Sequence, residues 1–324
     1  MEETRLRAAQ TALPAVTAAS DTPFATLSPE RVLDSVEAAG FVTNGRLLAL
    51  NSYENRVWRV GLEEGGHLIG KFYRSGRWTD AAILEEHAYA QELASAELPV
   101  VPPLAIAGQT LLKQDDLRYA LFPNRPGRAP ELDDADTLRW IGRFLGRIHA
   151  RGAVSPFRHR PRLTVTRLGE ESVREVLAGP HLPAELRPAY EAASQAALEQ
   201  IRGIFEALGP LREIRLHGDC HHGNILWTDA GPHFVDLDDC MQGPAVQDLW
   251  MLLSGSRDDQ TRQLALLLEG YEDFREFDRT EIALIEALRS LRILHYAAWL
   301  ARRWVDPAFP ANFPWFASPR YWQD

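Results

Sequence analysis

The sequence predicts an α+β fold in two parts, a small antiparallel sheet with one helix followed by a mainly helical region. Three observations carry that expectation. Short apolar runs punctuated by Gly, Asn and Pro recur between residues 47 and 122, the pattern of a strand meander. Apolar residues at helical spacing dominate 136–150, 184–208, 258–271 and 279–305. Between the second and third of those helices lies a stretch rich in Gly, His and Asp around short apolar runs, which fits neither pattern.

The elements have local causes, taken in chain order. Residues 1–22 are rich in Ala and Thr, carry scattered charge and lack a continuous apolar core, so they read as a flexible tail and not as a signal peptide. Ser28-Pro29-Glu30 supplies a cap, a first-turn proline and an early acid for a helix that Gly40 can close. Strands at 47–50 and 57–60 flank the polar Asn51-Ser52-Tyr53-Glu54-Asn55, and Glu63-Glu64-Gly65-Gly66 turns the chain into a third strand at 67–73. Thr79 or Asp80 caps a helix whose apolar positions run from 82 to 93. A proline-containing break at 99–103 precedes two short strands, 110–112 and 118–122. Phe122-Pro123-Asn124-Arg125-Pro126-Gly127 then reads as the joint between a first domain, 23–123, and a second, 124–324. The aromatic run from Trp299 to Trp322 reads as packing across the helical region.

Composition narrows the function classes. A chain of 324 residues with 45% hydrophobic and 25% charged content fits a soluble enzyme with a sizeable core. A net charge of −10, with no basic run interleaved with aromatics, argues against nucleic acid as a partner. The densest basic patch, Arg158-His159-Arg160-Pro161-Arg162, reads as a solvated loop, with docking of an acidic segment or a phosphate as the alternative. No apolar run reaches the length of about 18 residues that reads as a membrane span, so no membrane partner is expected. Cys220 and Cys240 are too few for a disulfide framework and fit a reducing cytoplasm. Cys220 adjoins the motif described next, which makes its oxidation a route to control.

The chemistry concentrates in Leu216-His217-Gly218-Asp219-Cys220-His221-His222-Gly223-Asn224 and in Phe234-Val235-Asp236-Leu237-Asp238-Asp239. An Asp, an Asn five positions later and an Asp twelve beyond it have the spacing of a phosphoryl-transfer site. Asp219 can accept a hydroxyl proton, while Asn224 and Asp236 offer oxygens to Mg²⁺. Gly218 and Gly223 permit tight turns, and Phe234-Val235 ends a short strand that places Asp236 at its terminus. Two other readings compete. His217, Cys220, His221 and His222 could ligate zinc, although adjacent histidines rarely face one metal and no second Cys/His pair stands at ligand spacing. A solvated polar turn with its acids on a surface face is the other.

Lys71 is a second, distant signal. Of 35 basic residues only Lys71 and Lys113 are lysine, which points to a coding bias against lysine. Lys113 sits in the polar Leu112-Lys113-Gln114-Asp115-Asp116 and reads as an ordinary turn. Lys71 lies in the apolar, strand-like His67-Leu68-Ile69-Gly70-Lys71-Phe72-Tyr73, where a cation needs an anionic partner. A compact ammonium that contacts the phosphates of ATP and is held by a helix carboxylate meets that need. Glu85 and Glu86 both lie on the following helix, and one of them can reach it. A snorkelling edge-strand lysine is the competing reading.

His-Gly-Asp-x-x-x-x-Asn, here 217–224, followed by Asp236-x-Asp238 at a strand end, resembles the aminoglycoside phosphotransferase and choline kinase superfamily, relatives of the protein kinases. The longer stretches 50–57, 71–74, 83–87, 235–239, 243–253 and 306–310 resemble one bacterial branch of it, cytoplasmic serine/threonine protein kinases of the stress response. The resemblance runs from about 24 to 322. It implies a two-lobed protein-kinase-like fold, with a small antiparallel-sheet N-lobe and a mainly helical C-lobe, that binds ATP and Mg²⁺ between the lobes. It implies that Ser52, Tyr53 and nearby backbone N–H groups cover the phosphates, where protein kinases carry a glycine-rich loop that this chain lacks; a plain hairpin turn is the alternative. Phe122 and Asn124 fall in the hinge that holds adenine. The family's helix pattern assigns Glu86, not Glu85, to Lys71. Asp219 becomes the catalytic base, Asp236 a catalytic and metal-binding acid beside the metal ligand Asn224, Asp238 a support behind the metal, and Asp248 the residue that orders the loop.

Protein kinases usually place an Arg before the catalytic Asp to pair with a phosphorylated loop, whereas this chain has Gly218. Only eleven residues separate Asp236 from Asp248, and none is Ser, Thr or Tyr, so no activation-loop phosphorylation is expected. The expected partner is a protein presenting Ser or Thr, including this chain itself or a basic protein, with the enzyme a monomer. A kinase of an aminoglycoside, choline or an amino alcohol is the competing reading on the same fold. A non-catalytic nucleotide-binding regulator is a third, against which the complete Lys71, Asp219, Asn224 and Asp236 set stands.

Overall fold

The computed structural model describes residues 23–323, so the tail expected at 1–22 lies outside them. The fold is α+β, a five-stranded antiparallel sheet followed by a mainly helical region. Helix α1 (Pro29–Ala38) starts where Ser28 Oγ accepts the Arg31 N–H and Pro29 occupies the first turn. Its apolar stripe, Val32 and Val36, packs on one face of the sheet against Val60, Leu68, Phe72, Tyr119 and Leu121. Full burial of each such side chain is worth about 1.5–3 kcal/mol.

The sheet runs in the order β1 (Thr43–Ala49), β2 (Arg56–Leu62), β3 (His67–Phe72), β5 (Leu117–Pro123), β4 (Leu112–Gln114). Antiparallel register sets Lys71 opposite Ala120 and Phe72 opposite Tyr119. Period-two alternation therefore sends Phe72 to the α1 face and Lys71 to the other. On that other face lies α2 (Asp80–Ser95), capped by Thr79 and packed through Ile83 against Tyr73, Leu111 and Ala120.

The strand expected at 110–112 is displaced to Leu112–Gln114. Leu111 is buried in the α2 interface, Thr110 pairs its hydroxyl with His87 Nδ1 at 2.9 Å, and Asp115 turns the chain at φ 51°. Lys113 accordingly lies on β4 and not in a turn, and reaches Asp80 at 2.6 Å. The proline-containing break at 99–103 ties the sheet region to the helical region. Val101 N–H donates to Phe234 O, Phe234 N–H to Pro99 O, and Leu104 N–H to Leu121 O.

The helical region is built on α3 (Ala135–Gly152), α4 (Glu171–Ala178), α5 (Arg187–Leu208), the short α6 (Val246–Trp250), α7 (Arg257–Tyr271) and α8 (Ile285–Arg303). Helices α3 and α7 approach so closely that a Cβ at Gly142 would stand 2.0 Å from Leu267 O. Three differences from the periodicity have physical causes. A π-helical turn at Thr166–Glu170 leads into α4, which the sequence reading left out because the segment is only eight residues long. The helix expected from 184 begins at Arg187, with Pro188 in its first turn. The helix expected over 279–305 divides into a 3₁₀ segment, Arg279–Leu284, and α8. Between α5 and α6, β6 (Ile214–Leu216) pairs with β9 (Met241–Gly243), and the hairpin β7 (Ile225–Thr228)–β8 (Gly231–Phe234) lies between the two motif stretches, with Asp219 and Asn224 before β7 and Asp236 after β8.

The C-terminal segment, with α9 (Ala308–Asn312) and α10 (Pro319–Gln323), does more than cover the helices. Phe309, Phe313 and Phe316 form a cluster with Leu300 that also takes in Tyr53 from the β1–β2 loop. Asp306, 1% exposed, pairs with Arg74 at 2.6 Å and Arg56 at 2.8 Å and accepts the Ala308 N–H at 3.0 Å. Both cysteines are fully buried, and burial pushes both thiols well above their ordinary pKa. Enclosure of Cys220 overturns the idea that its oxidation controls the folded protein.

Asp306→Ala leaves the buried Arg74 guanidinium without its closest carboxylate. The expected result is a loss of about 3 kcal/mol in denaturant unfolding, the scale of a broken buried pair. A loss below about 0.5 kcal/mol, the scale of a neutral surface substitution, would show that the C-terminal segment does not anchor the sheet.

Candidate active site

A cavity of about 420 Å³ opens between the sheet and the helical region. Leu50 and Ser52 line it from the β1–β2 loop, Ile69, Lys71 and Phe122 from the sheet, Glu86 from α2, Asn124 from the joining segment, and Asn224 and Asp236 from the motif. Tyr53 does not line it. Its ring packs edge-on against Phe313, with centroids 4.8 Å apart, because the C-terminal aromatic cluster captures it.

Lys71 Nζ lies 2.8 Å from Asp236 Oδ1, 3.3 Å from Asp238 Oδ1 and 3.5 Å from Glu86 Oε1. Burial works against its charge, but Asp236, Asp238 and Glu86 outweigh it and hold the ammonium well above its ordinary pKa. Burial pushes Glu86 up to about 7, with Lys71 pulling the other way. Burial also opposes ionisation of Asp238, yet Arg77, Lys71, Arg160 and a hydrogen bond from Asn55 hold its carboxyl below the usual range. Asp238 is therefore enclosed by cations and by Asn55 Nδ2, 3.0 Å away.

Glu85 faces away from Lys71. It accepts the backbone N–H groups of Arg158, His159 and Arg160 at 2.6, 2.7 and 2.8 Å. The basic run is thus not a free solvated loop. Arg160 is buried, donates to the carbonyls of Cys240 and Asp238, and stacks 4.1 Å above the Trp78 ring.

Asp248, fully buried at the start of α6, accepts the N–H groups of His217 and Gly218 at 2.8 Å each and His149 Nε2 at 3.0 Å. Burial opposes its charge, but these donors hold its carboxyl below the ordinary value. Gly218 adopts φ 86°, and a Cβ there would meet Asp239 O at 2.1 Å, so no side chain fits at this point of the loop. Asn224 Nδ2 donates to Asp219 O at 2.9 Å, which leaves its amide oxygen uncommitted by that bond. Asp236 sits in the left-handed region at φ 60°, an unusual conformation for a non-glycine residue, with its side chain 49% exposed. Asp219 lies outside the cavity lining and meets Arg292 of α8 at 2.9 Å.

The zinc reading fails on geometry. Cys220 is enclosed in the core, His217 Nε2 donates to Val235 O, and His221 Nδ1 accepts the Gly223 N–H. Among the described residues no group of three or more His, Cys, Asp or Glu side chains is placed to hold a metal. Asn55, Arg77, Arg160 and Arg292 are contacts the sequence reading missed. Each is fixed by a partner at least 73 positions away, which no local pattern encodes.

Residues 46–285 match APH, the phosphotransferase enzyme family. Serine/threonine protein kinase RdoA of Salmonella typhimurium is 45% identical over 300 residues, 93% of this chain and 90% of that protein. Stress response kinase A of Escherichia coli is 44% identical over 299 residues, 92% of this chain and 90% of that protein. Among solved structures, the amicoumacin kinase hAmiN in complex with AMP-PNP, Ca²⁺ and Ami is similar in fold, with a TM-score of 0.70 at 19% identity, covering 90% of this chain and 92% of that one. A family match over most of the chain, and close relatives of nearly its full length, meet a cavity that gathers Lys71, Asn224 and Asp236: this chain belongs to the phosphotransferase enzyme family.

Proposed function

We propose that the chain is an ATP- and Mg²⁺-dependent serine/threonine protein kinase of the bacterial stress response. The observation that carries the reading is the gathering of Lys71, Asn224 and Asp236 on one cavity in a chain 45% identical to a serine/threonine protein kinase. Residues 23–123 act as the N-lobe and 124–324 as the C-lobe, with adenine against Phe122 and Asn124. The two free, buried cysteines suit a reducing cytoplasm, where we place the enzyme as a monomer. No helix among the described residues is long and apolar enough to cross a membrane.

Lys71, oriented by Glu86, gives its charge to the α- and β-phosphates, and Ser52 with the neighbouring backbone covers them. Asn224 and Asp236 would hold Mg²⁺. Two protein oxygens suit an ion that keeps several waters and takes phosphate oxygens as further ligands. When bound, the ion supplies neutralisation of phosphate charge. Asp219 orients the acceptor hydroxyl and takes its proton as the hydroxyl oxygen bonds to the γ-phosphorus and the bond to the β-phosphate oxygen breaks. Asp248 and His217 keep the loop in shape. The segment between Asp236 and Asp248 holds no Ser, Thr or Tyr, so activity does not wait on its phosphorylation. A small-alcohol kinase is the second reading, favoured by fold neighbours such as the amicoumacin kinase.

The test is to incubate the protein with γ-labelled ATP, a cell lysate and a panel of small alcohols. Label is expected on Ser or Thr of protein, and label on small alcohols alone overturns the reading. Asp219→Asn is expected to keep nucleotide binding and lose about 10²–10⁴-fold in turnover; near wild-type turnover removes Asp219 from the chemistry. Lys71→Arg is expected to cut turnover sharply, because a planar fork does not reproduce a compact ammonium among three carboxylates. Steady-state kinetics decide the point, and full activity would contradict it.

A further inference from the structure

Asp219 presents two oxygens. Oδ2 faces its own loop, with Asn224 Nδ2 at 3.5 Å and His221 Nε2 at 3.6 Å. Oδ1 is covered by Arg292 Nη1 at 2.9 Å. Arg292 is half exposed, and Asp219 is its one carboxylate partner among the described residues; its other contact is Met251 Sδ at 3.9 Å. An acceptor hydroxyl needs an oxygen of Asp219, so Arg292 must move aside or share. Partly exposed pairs are weak, and moving it is easy. The released guanidinium then stands beside the acceptor with its charge uncompensated.

The surroundings repeat the theme. Arg289, Arg292, Ile293 and Tyr296 follow i, i+3, i+4, i+7 spacing and share one face of α8, with Ile293 65% exposed. Arg167, on the π-helical turn before α4, is exposed and has no ion-pair partner among the described residues. Its guanidinium lies 6.0 Å from the Trp78 ring centroid. Arg302, Asp239, Arg167 and Arg292 all act electrostatically on His295, so Arg167 and Arg292 both border the region of its ring, with the Asp239 carboxylate among them. Arg292 thus stands at the acceptor side of a chain whose net charge is −10, ion-paired among the described residues only with the base, while Arg167 borders that side and feels the charges of Glu171 and Asp239.

We propose that Arg292, with Arg167, reads an acidic side chain flanking the phosphorylated Ser or Thr, so that the acceptor is an acidic protein segment. Arg292 leaves Asp219 for that carboxylate as the acceptor hydroxyl takes its place. The assignment rests on the protein-kinase reading and makes Arg292 a specificity-determining residue.

The test uses the full-length enzyme and three peptide sets that present Ser or Thr among Asp/Glu, Ala or Lys/Arg neighbours. The readout is kcat/KM for each set, taken as ratios within one variant so that any effect on turnover itself cancels. Wild type is expected to favour acidic over neutral peptides by about tenfold or more, the scale of a charge-assisted hydrogen bond. Arg292→Ala is expected to bring that ratio near one, Arg292→Lys to keep part of it, and Arg292→Glu to shift preference to basic peptides. Arg167→Glu is expected to weaken the acidic preference and serves as the second variant should Arg292→Glu not fold. Protein labelling with no acidic preference, or an acidic preference that survives both Glu variants, overturns this inference and leaves the kinase reading standing. Label on small alcohols alone overturns both.

Discussion

A single ammonium group organises this molecule. Lys71 is 6% exposed, and a charge so buried persists only where opposite charges and hydrogen bonds compensate its desolvation. The compensation comes from three carboxylates at two places in the chain: Glu86 on α2, and Asp236 and Asp238 just after the β7–β8 hairpin. Those carboxylates are in turn balanced by Arg77 and Arg160. Satisfying one lysine therefore fixes the distance of α2 from β3 and of the hairpin from both. The three acids are not equivalent. Glu86 lines the cavity but is almost fully buried, Asp238 is enclosed, and the Asp236 side chain, on the cavity, is 49% exposed.

The same logic explains why the β1–β2 loop has no glycine. In a glycine-rich loop the backbone itself must adapt to the phosphates. Here the loop is held from outside: Tyr53 by Phe313, Glu54 by Trp299 Nε1 at 2.6 Å and Arg303 at 2.8 Å, and Asn55 by Asp238. Side chains at these positions do work that glycine cannot, so the loop is shaped by its anchors and not by conformational freedom. Asp306 extends the restraint by pinning Arg56 and Arg74 to the C-terminal segment. Closure of the sheet region over the helical region is built in by ion pairs.

What was legible in the sequence follows from this division. The caps of α1 and α2 are local chemistry and could be read from Ser28-Pro29 and Thr79. Fold class followed from periodicity, and the gathering of Asn224 and Asp236 from spacing within one hairpin. Lys71 stood out because a cation in an apolar strand is an energetic anomaly. The misses share another cause. Tyr53 leaves the cavity for an aromatic cluster 260 positions away, Arg160 sinks into the interior although it sits in a basic run, and Arg77 reaches across to Asp238. Each outcome depends on which distant group arrives, and composition within a window carries no record of that. The choice of Glu86 over Glu85 was legible in the family's helix pattern, and Glu86 lies 3.5 Å from Lys71; what was not legible is that Glu85 accepts the 158–160 backbone.

Net charge misleads for the same reason. The value of −10 is an average over the chain, and it invites the expectation of a basic acceptor. Contact is decided over a shorter range, since exposed charges farther apart than about 8–10 Å are largely screened at physiological salt. Within that range Asp219 meets Arg292. The chain's acids are spent elsewhere: Glu54, Asp238 and Asp306 are committed to internal cations and do not face an incoming partner. An acidic protein can thus set an arginine beside its acceptor site, because the ion pairs that close the fold consume part of its carboxylates. Long-range repulsion between such an enzyme and an acidic substrate would slow encounter without altering which side chain Arg292 reads once the two surfaces meet.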